Sequence, residues 1–171
     1  MLKSIEGNFD HPEVNQLLTK HFIELRAASP EGSAHVLDIQ GLKVSSIKFW
    51  SLWENDKLFG CGALKFLDKD HGEFKSIRIH DNFRNKGNGI KIIEHLIQES
   101  KKLGINRISI ETGAGNFFLP ARKLFEKCDF KICKPFAHYK KDQNSIYLTK
   151  LINNKWYKNN DKSIYFVDKT H

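Results

Sequence analysis

The chain has 171 residues, of which 40% are hydrophobic and 28% charged, enough apolar material for one domain with a real core and too much for wholesale disorder. Its formal net charge is +8, but the lysines are dispersed along the chain, which reads as a solvated surface. Three cysteines without paired spacing and eight scattered histidines exclude a disulfide framework and a recognisable metal cluster, so no metal is expected.

The start carries no secretory pattern, and no apolar run is long enough to span a bilayer, so a cytoplasmic protein without membrane contact is expected. In residues 12–27, Val14, Leu17, Leu18, Phe22 and Leu25 share one face of a helix, with Asp10 as its cap and Pro12 in its first turn. Residues 29–42 read as a loop with room for a short helix. Residues 46–53, 58–66 and 73–80 then read as three strands of a meander, separated by turns at 54–57 and 67–72.

The period changes at residue 88. Over 88–103, Ile90, Ile93, Leu96, Ile97 and Leu103 form a helical stripe that stops at Gly104. Residues 105–112 alternate as a strand, 120–128 form a helix with Pro120 at its first position, and 130–133 and 145–151 close as strands. This order predicts an α/β (α+β mixed) fold with a mixed sheet, a single domain over 1–151 and a polar extension over 152–171. Within the extension, residues 164–167 are the one apolar segment, either an edge strand or a loosely held piece.

The informative segment is Arg84-Asn85-Lys86-Gly87-Asn88-Gly89, between a strand and a helix. A helix N-terminus offers unpaired N–H groups and partial positive charge, the glycines permit close backbone approach, and Arg84 and Lys86 add cationic donors. Together they suit a diphosphate. The segment is neither a Walker A loop, since no GK[ST] closes it, nor a GxGxxG dinucleotide fingerprint.

Arg84-x-x-Gly87-x-Gly89 resembles the [QR]-x-x-G-x-[GA] signature of the GNAT acetyltransferases, and residues 121–130 resemble that family's A-x-x-L-Y-x-K-x-G-F stretch. Closer likeness to a bacterial, YsnE-like branch lies in residues 29–35, 73–76, 111–113 and 135–145. The resemblance covers about residues 12–150 and implies a splayed mixed sheet flanked by helices. It also implies acetyl-CoA as the cofactor and transfer of its acetyl group to an amine, most simply on a small molecule, by direct attack in a ternary complex. Pantetheine would pair with Ile77, Arg78 and Ile79, and the backbone of Arg84, Asn85, Lys86, Gly87, Asn88 and Gly89 would hold the pyrophosphate whatever the side chains of Asn85 and Asn88. Homodimers are common enough in the family to be unsurprising here.

One position departs from the family. The tyrosine that often protonates the leaving thiolate is Phe125 here, which has no exchangeable proton. Glu73 is a candidate base, or an exposed hairpin residue; Tyr139 is a candidate acid, or a packing aromatic; His35 is a candidate wall of the acceptor pocket, or a surface histidine. Lys75 and Arg78 are candidates for an anionic group of the acceptor, and Glu111 and Asn144 for its polar groups. The backbone N–H of Ile77 is the expected donor to the thioester carbonyl. Two rivals remain: a module that holds CoA without catalysis, motivated by Phe125, and a nucleic-acid binder, motivated by charge but unsupported by any helix-turn-helix, RNA-recognition or zinc pattern.

Overall fold

The structure, a computed structural model, describes residues 1–152, so the apolar segment at 164–167 lies outside the described residues. Strands β1 (Lys3–Glu6), β2 (Ile47–Glu54), β3 (Lys57–Phe66), β4 (His71–Ile79), β5 (Arg107–Gly113), β6 (Lys131–Ile132) and β7 (Ser145–Leu151) form one sheet in the order β1-β2-β3-β4-β5-β7-β6. Helices α1 (Pro12–Ala28) and α2 (Ile39–Leu42) lie on one face; α3 (Asn88–Lys102) and α4 (Leu119–Lys127) lie on the other. The expected mixed α/β fold is therefore present.

Local chemistry accounts for most boundaries. Asn55 and Asp56 both adopt positive φ, 50° and 61°, as a two-residue hairpin between right-twisted strands demands. Gly104, at φ 81°, ends α3: its N–H reaches Lys101 O, and the Ile105 N–H reaches back to Ser100 O, so carbonyls of the last turn are satisfied. The cap of α1 differs from expectation. His11, not Asp10, is the N-cap, its Nδ1 accepting from Glu13 N at 3.3 Å. The stripe of α3 is also shifted: Ile92 is fully buried, whereas Leu103 is a partly exposed cap residue.

Two apolar clusters flank the sheet. On one side Val14, Leu17 and Leu18 of α1 meet Phe49, Leu58 and Cys61. On the other, Ile92, Ile93 and Leu96 of α3 meet Phe59, Phe74 and Ile108. Burying a side chain of this size stabilises by about 1.5–3 kcal/mol, so these faces fix which way β4 presents its residues. Phe74, Ile77 and Ile79 turn to α3; Glu73, Lys75 and Arg78 turn away from it.

The arrangement of β4 positions everything that follows. It pairs in parallel with β5 only over His71–Glu73 against Arg107–Ser109. On its other side, Ala63 of β3 faces Lys75 and Cys61 faces Arg78, so β4 takes three steps where β3 takes two. That extra residue is a β-bulge, and Ser76 within it has φ 53°. The Cys61 thiol donates to Ser76 O at 3.3 Å, occupying the bulge carbonyl. Burial pushes that thiol up to about 12, so it stays protonated and remains a donor. A bulge increases local twist, and here the C-terminal half of β4 leaves β5.

Gly60 lies opposite Ile79, and a Cβ there would meet Arg78 O at 2.4 Å. Because the obstacle is backbone, Gly60→Ala is expected to destabilise the protein by about 1–3 kcal/mol. Urea unfolding checks this, and an unchanged midpoint would contradict the close β3–β4 approach.

Candidate active site

Where β4 and β5 part, a cavity of about 640 Å³ opens. Arg84, Gly87 and Lys123 line it from the α3 and α4 elements, and His35, Lys75 and Glu111 line it from the α1 face of the sheet and the loop beyond α1. The strand gap thus joins the basic loop on one face to a polar cluster on the other.

The basic loop is built around αL residues. Asn85 has φ 64°, and Gly87, the N-cap residue of α3, has φ 72° with nothing within 4 Å of where a Cβ would stand. No side chain caps this helix start, which leaves its first N–H groups for another partner. Gly89 serves differently. A Cβ there would lie 2.7 Å from Leu124 Cδ2, so this glycine permits α3 to pack against α4. Asn88 does more than the sequence suggested: its Nδ2 donates to Phe83 O at 2.7 Å and ties the loop shut. Arg84 lines the cavity, with its Nε 3.2 Å from Asp81 Oδ1, while Lys86 is exposed and does not line it. Lys123 and Lys127 of α4 add two cationic groups that the motif did not reveal.

On the opposite face, sequence segments far apart converge. Glu73 is 2% exposed, which overturns its reading as an exposed hairpin residue. The Tyr139 hydroxyl donates to Glu73 Oε2 at 2.6 Å, and Lys75 Nζ lies 3.4 Å from the same oxygen and 3.1 Å from the Tyr139 oxygen. The ring of His35 meets that of Tyr139 edge-on at 5.1 Å. Glu111 of β5 accepts from Ser145 Oγ at 2.9 Å. Asn144 does not line the cavity; its Nδ2 donates to Ser33 Oγ at 3.3 Å, and Ser33 Oγ donates to Asp142 Oδ2 at 2.7 Å. Asn144 therefore fastens the loop beyond α1 to the loop before β7.

Electrostatics sort these groups. Burial, and then the Glu73 charge that accepts its hydrogen bond, push Tyr139 far above the usual phenol range. Such a hydroxyl is a weaker acid than an ordinary thiol, so protonating a thiolate from it is uphill. Burial likewise raises the Glu111 carboxyl, offset in part by the Ser145 hydrogen bond. Phe125 is buried against Phe130, ring centres 6.0 Å apart, and brings no proton to the cavity.

Arg78 points to α1: its Nη1 donates to Glu24 Oε2 at 2.6 Å, and its Nη2 is 3.5 Å from Asp81 Oδ1. That hydrogen bond holds Glu24 below the usual carboxylate range. His21, on the buried stripe of α1, was missed in the sequence because it occupies a position four residues after Leu17 where an apolar side chain is usual. Burial, and then the Arg78 charge, lower it to about 4.

The model of the Acetyltransferase (GNAT) family matches residues 12–130, and the chain belongs to that family. It is 44% identical over 138 residues to the uncharacterized N-acetyltransferase YsnE of Bacillus subtilis, covering 81% of this chain and 91% of that protein. It is 39% identical to the uncharacterized N-acetyltransferase YedL of Escherichia coli over 81% and 87% of the two chains. Among solved structures, a Bacillus subtilis acetyltransferase in complex with CoA superposes with a TM-score of 0.64 at 20% identity, over 88% of this chain and 99% of that one. Among the described residues no helix is long and apolar enough to cross a membrane, and no group of residues is arranged to hold a metal.

His21 supplies a test of the α1 wall. Held neutral down to about pH 4, it makes the unfolded chain the better proton binder below the ordinary value of 6.5. The native state is then penalised as pH falls through that window, by roughly 3 kcal/mol at the lower end. His21→Gln is expected to flatten the pH dependence of unfolding free energy between pH 6.5 and 4. An unchanged slope would mean that His21 is solvated.

Proposed function

We propose that the chain transfers the acetyl group of acetyl-CoA to a primary amine of a small molecule, in the cytoplasm, by direct attack with both partners bound. The observation that carries this reading is the gap between β4 and β5, which connects an uncapped, Gly87-centred helix start to buried Glu73 and its half-buried partners Lys75 and Tyr139. The donor set fits a CoA diphosphate: backbone N–H groups of residues 84–89, with Arg84, Lys123 and Lys127 as counter-charges. The bulged stretch Ile77–Ile79 leaves β5, so its main chain would pair with pantetheine in place of a strand, and the Ile77 N–H would polarise the thioester carbonyl. The Bacillus subtilis neighbour that holds CoA shares this fold. Cys61, Cys128 and Cys133 form no disulfide, which suits a reducing compartment.

In this reading Arg78 contributes backbone to the donor and its guanidinium to α1, while Glu73, Lys75 and His35 build the floor and wall of the acceptor pocket and Tyr139, outside the lining, holds Glu73 and Lys75 from behind. Glu73 acts as the fixed charge that orients Tyr139 and Lys75.

Thiol release from acetyl-CoA with a panel of primary amines tests the activity, and turnover with any of them removes the non-catalytic rival. Glu73→Gln is expected to lower turnover by about 10²-fold or more while acetyl-CoA affinity changes by less than about threefold. Equal loss in both would make Glu73 a structural residue alone. Gly87→Glu is expected to abolish acetyl-CoA binding in calorimetry, because it places a side chain and a negative charge where the diphosphate would sit. Retained affinity would refute the diphosphate assignment.

A further inference from the structure

Two carboxylates, Glu73 and Glu111, line the cavity, and the structure treats them unequally. Glu73 is almost fully buried and already accepts the Tyr139 hydroxyl and faces the Lys75 ammonium. Its charge is answered from within the protein. Glu111, across the strand gap on β5, has the Ser145 hydroxyl as the hydrogen-bond donor to Oε1. It faces His35 from the loop, Lys75 and Glu73 from β4, Tyr147 directly opposite on β7, and Tyr139 above. Of the cations lining the cavity beside it, Lys75 is engaged by Glu73 at 3.4 Å and Arg78 by Glu24 at 2.6 Å. Apart from the His35 imidazole, the acceptor half of the cavity therefore holds one carboxylate more than its internal cations answer.

We propose that Glu111 is the docking and proton-accepting group for a cationic amine, and that the acceptor carries its reactive nitrogen as an ammonium without a neighbouring carboxylate. This rests on the acetyl-transfer reading above and names the substrate class and the base for it. An ammonium supplies the missing positive charge and N–H donors beside Glu111; a carboxylate adjacent to the amine would face Glu73 and Glu111 together. One N–H proton passes from the ammonium nitrogen to a Glu111 oxygen and on to solvent. The freed lone pair forms the N–C bond at the thioester carbonyl as the C–S bond breaks. A second proton leaves the nitrogen at that point and ends on the sulfur. The balance is one amide, one thiol and one released proton per turnover.

Burial raises the Glu111 carboxyl, which keeps it a stronger base than a solvated glutamate, and an adjacent cation lowers it again. This is measurable without knowing the acceptor. The full chain, with glutamate side-chain carboxyls carbon-13 labelled and acetyl-CoA bound, is titrated by NMR in KCl and in ethylammonium chloride at equal ionic strength. The carboxyl signal absent from Glu111→Gln is expected to titrate above the ordinary glutamate range in KCl. It is expected to titrate at lower pH in ethylammonium. Ser145→Ala, which removes the donor to Oε1, is expected to move that titration upward and keeps the test open should Glu111→Gln fold poorly. A Glu111 signal that titrates with the solvated glutamates, or that ethylammonium leaves in place, overturns the proposal. Calorimetry with acetyl-CoA separates the two failures: loss of donor binding defeats the acetyl-transfer reading, whereas intact donor binding with an insensitive Glu111 defeats this one.

Discussion

The site exists because one strand runs with its neighbour for three residues and then leaves it. A sheet interior has no room for a ligand, since every backbone group is paired with the next strand. The bulge at Ser76 breaks that rule locally, and the Cys61 thiol holds the displaced carbonyl from behind. Facing β5, the main chain of Ile77–Ile79 has no strand partner, which would be a liability on an exposed edge. Here it is enclosed between α1 on one face and α3 and α4 on the other, and the proposed strand-like donor would satisfy it. The helix start that completes the donor site is placed by the same packing, because Gly89 lets α3 lie against α4 beside Ile79.

The two halves of the cavity have opposite electrostatic character. Arg84, Lys123 and Lys127 stand on the α3 and α4 side, and Glu73 and Glu111 stand on the α1 side. Under the proposed function, a polyanionic donor and a cationic acceptor would enter at different mouths of one gap. The charges between them are mutually engaged: Arg78 with Glu24 and Asp81, and Lys75 with Glu73. Fixed charges of this kind need no reorganisation when a substrate arrives, which is the main electrostatic resource of an enzyme site.

Much of this was legible in the sequence, for identifiable reasons. The periodicity change at residue 88 and the Gly104 stop marked the helix, and the strand-loop-helix setting of Arg84 to Gly89 marked its open, uncapped start, because both depend on local backbone chemistry. The scattered segments carrying His35, Glu73, Lys75, Glu111, Tyr139 and Asn144 do come together, Asn144 as a fastener behind the cavity. What was hidden depends on tertiary context. Whether Glu73 is exposed or buried follows from which face of β4 the α3 core claims. His21 was invisible because a histidine in an apolar stripe carries no signal of its own. Strand β1 was missed because its four residues are stabilised by pairing with Leu52 and its neighbours, not by their own propensity.

The central claim is that the gap between β4 and β5 receives the donor as a surrogate strand. Amide hydrogen exchange, with and without acetyl-CoA, tests it most directly. Binding is expected to slow exchange at Ile77 and Ile79 and across Gly87–Gly89, and to leave β2 and β3 unchanged. Protection confined to the Gly87 loop, with Ile77 and Ile79 unaffected, would contradict it.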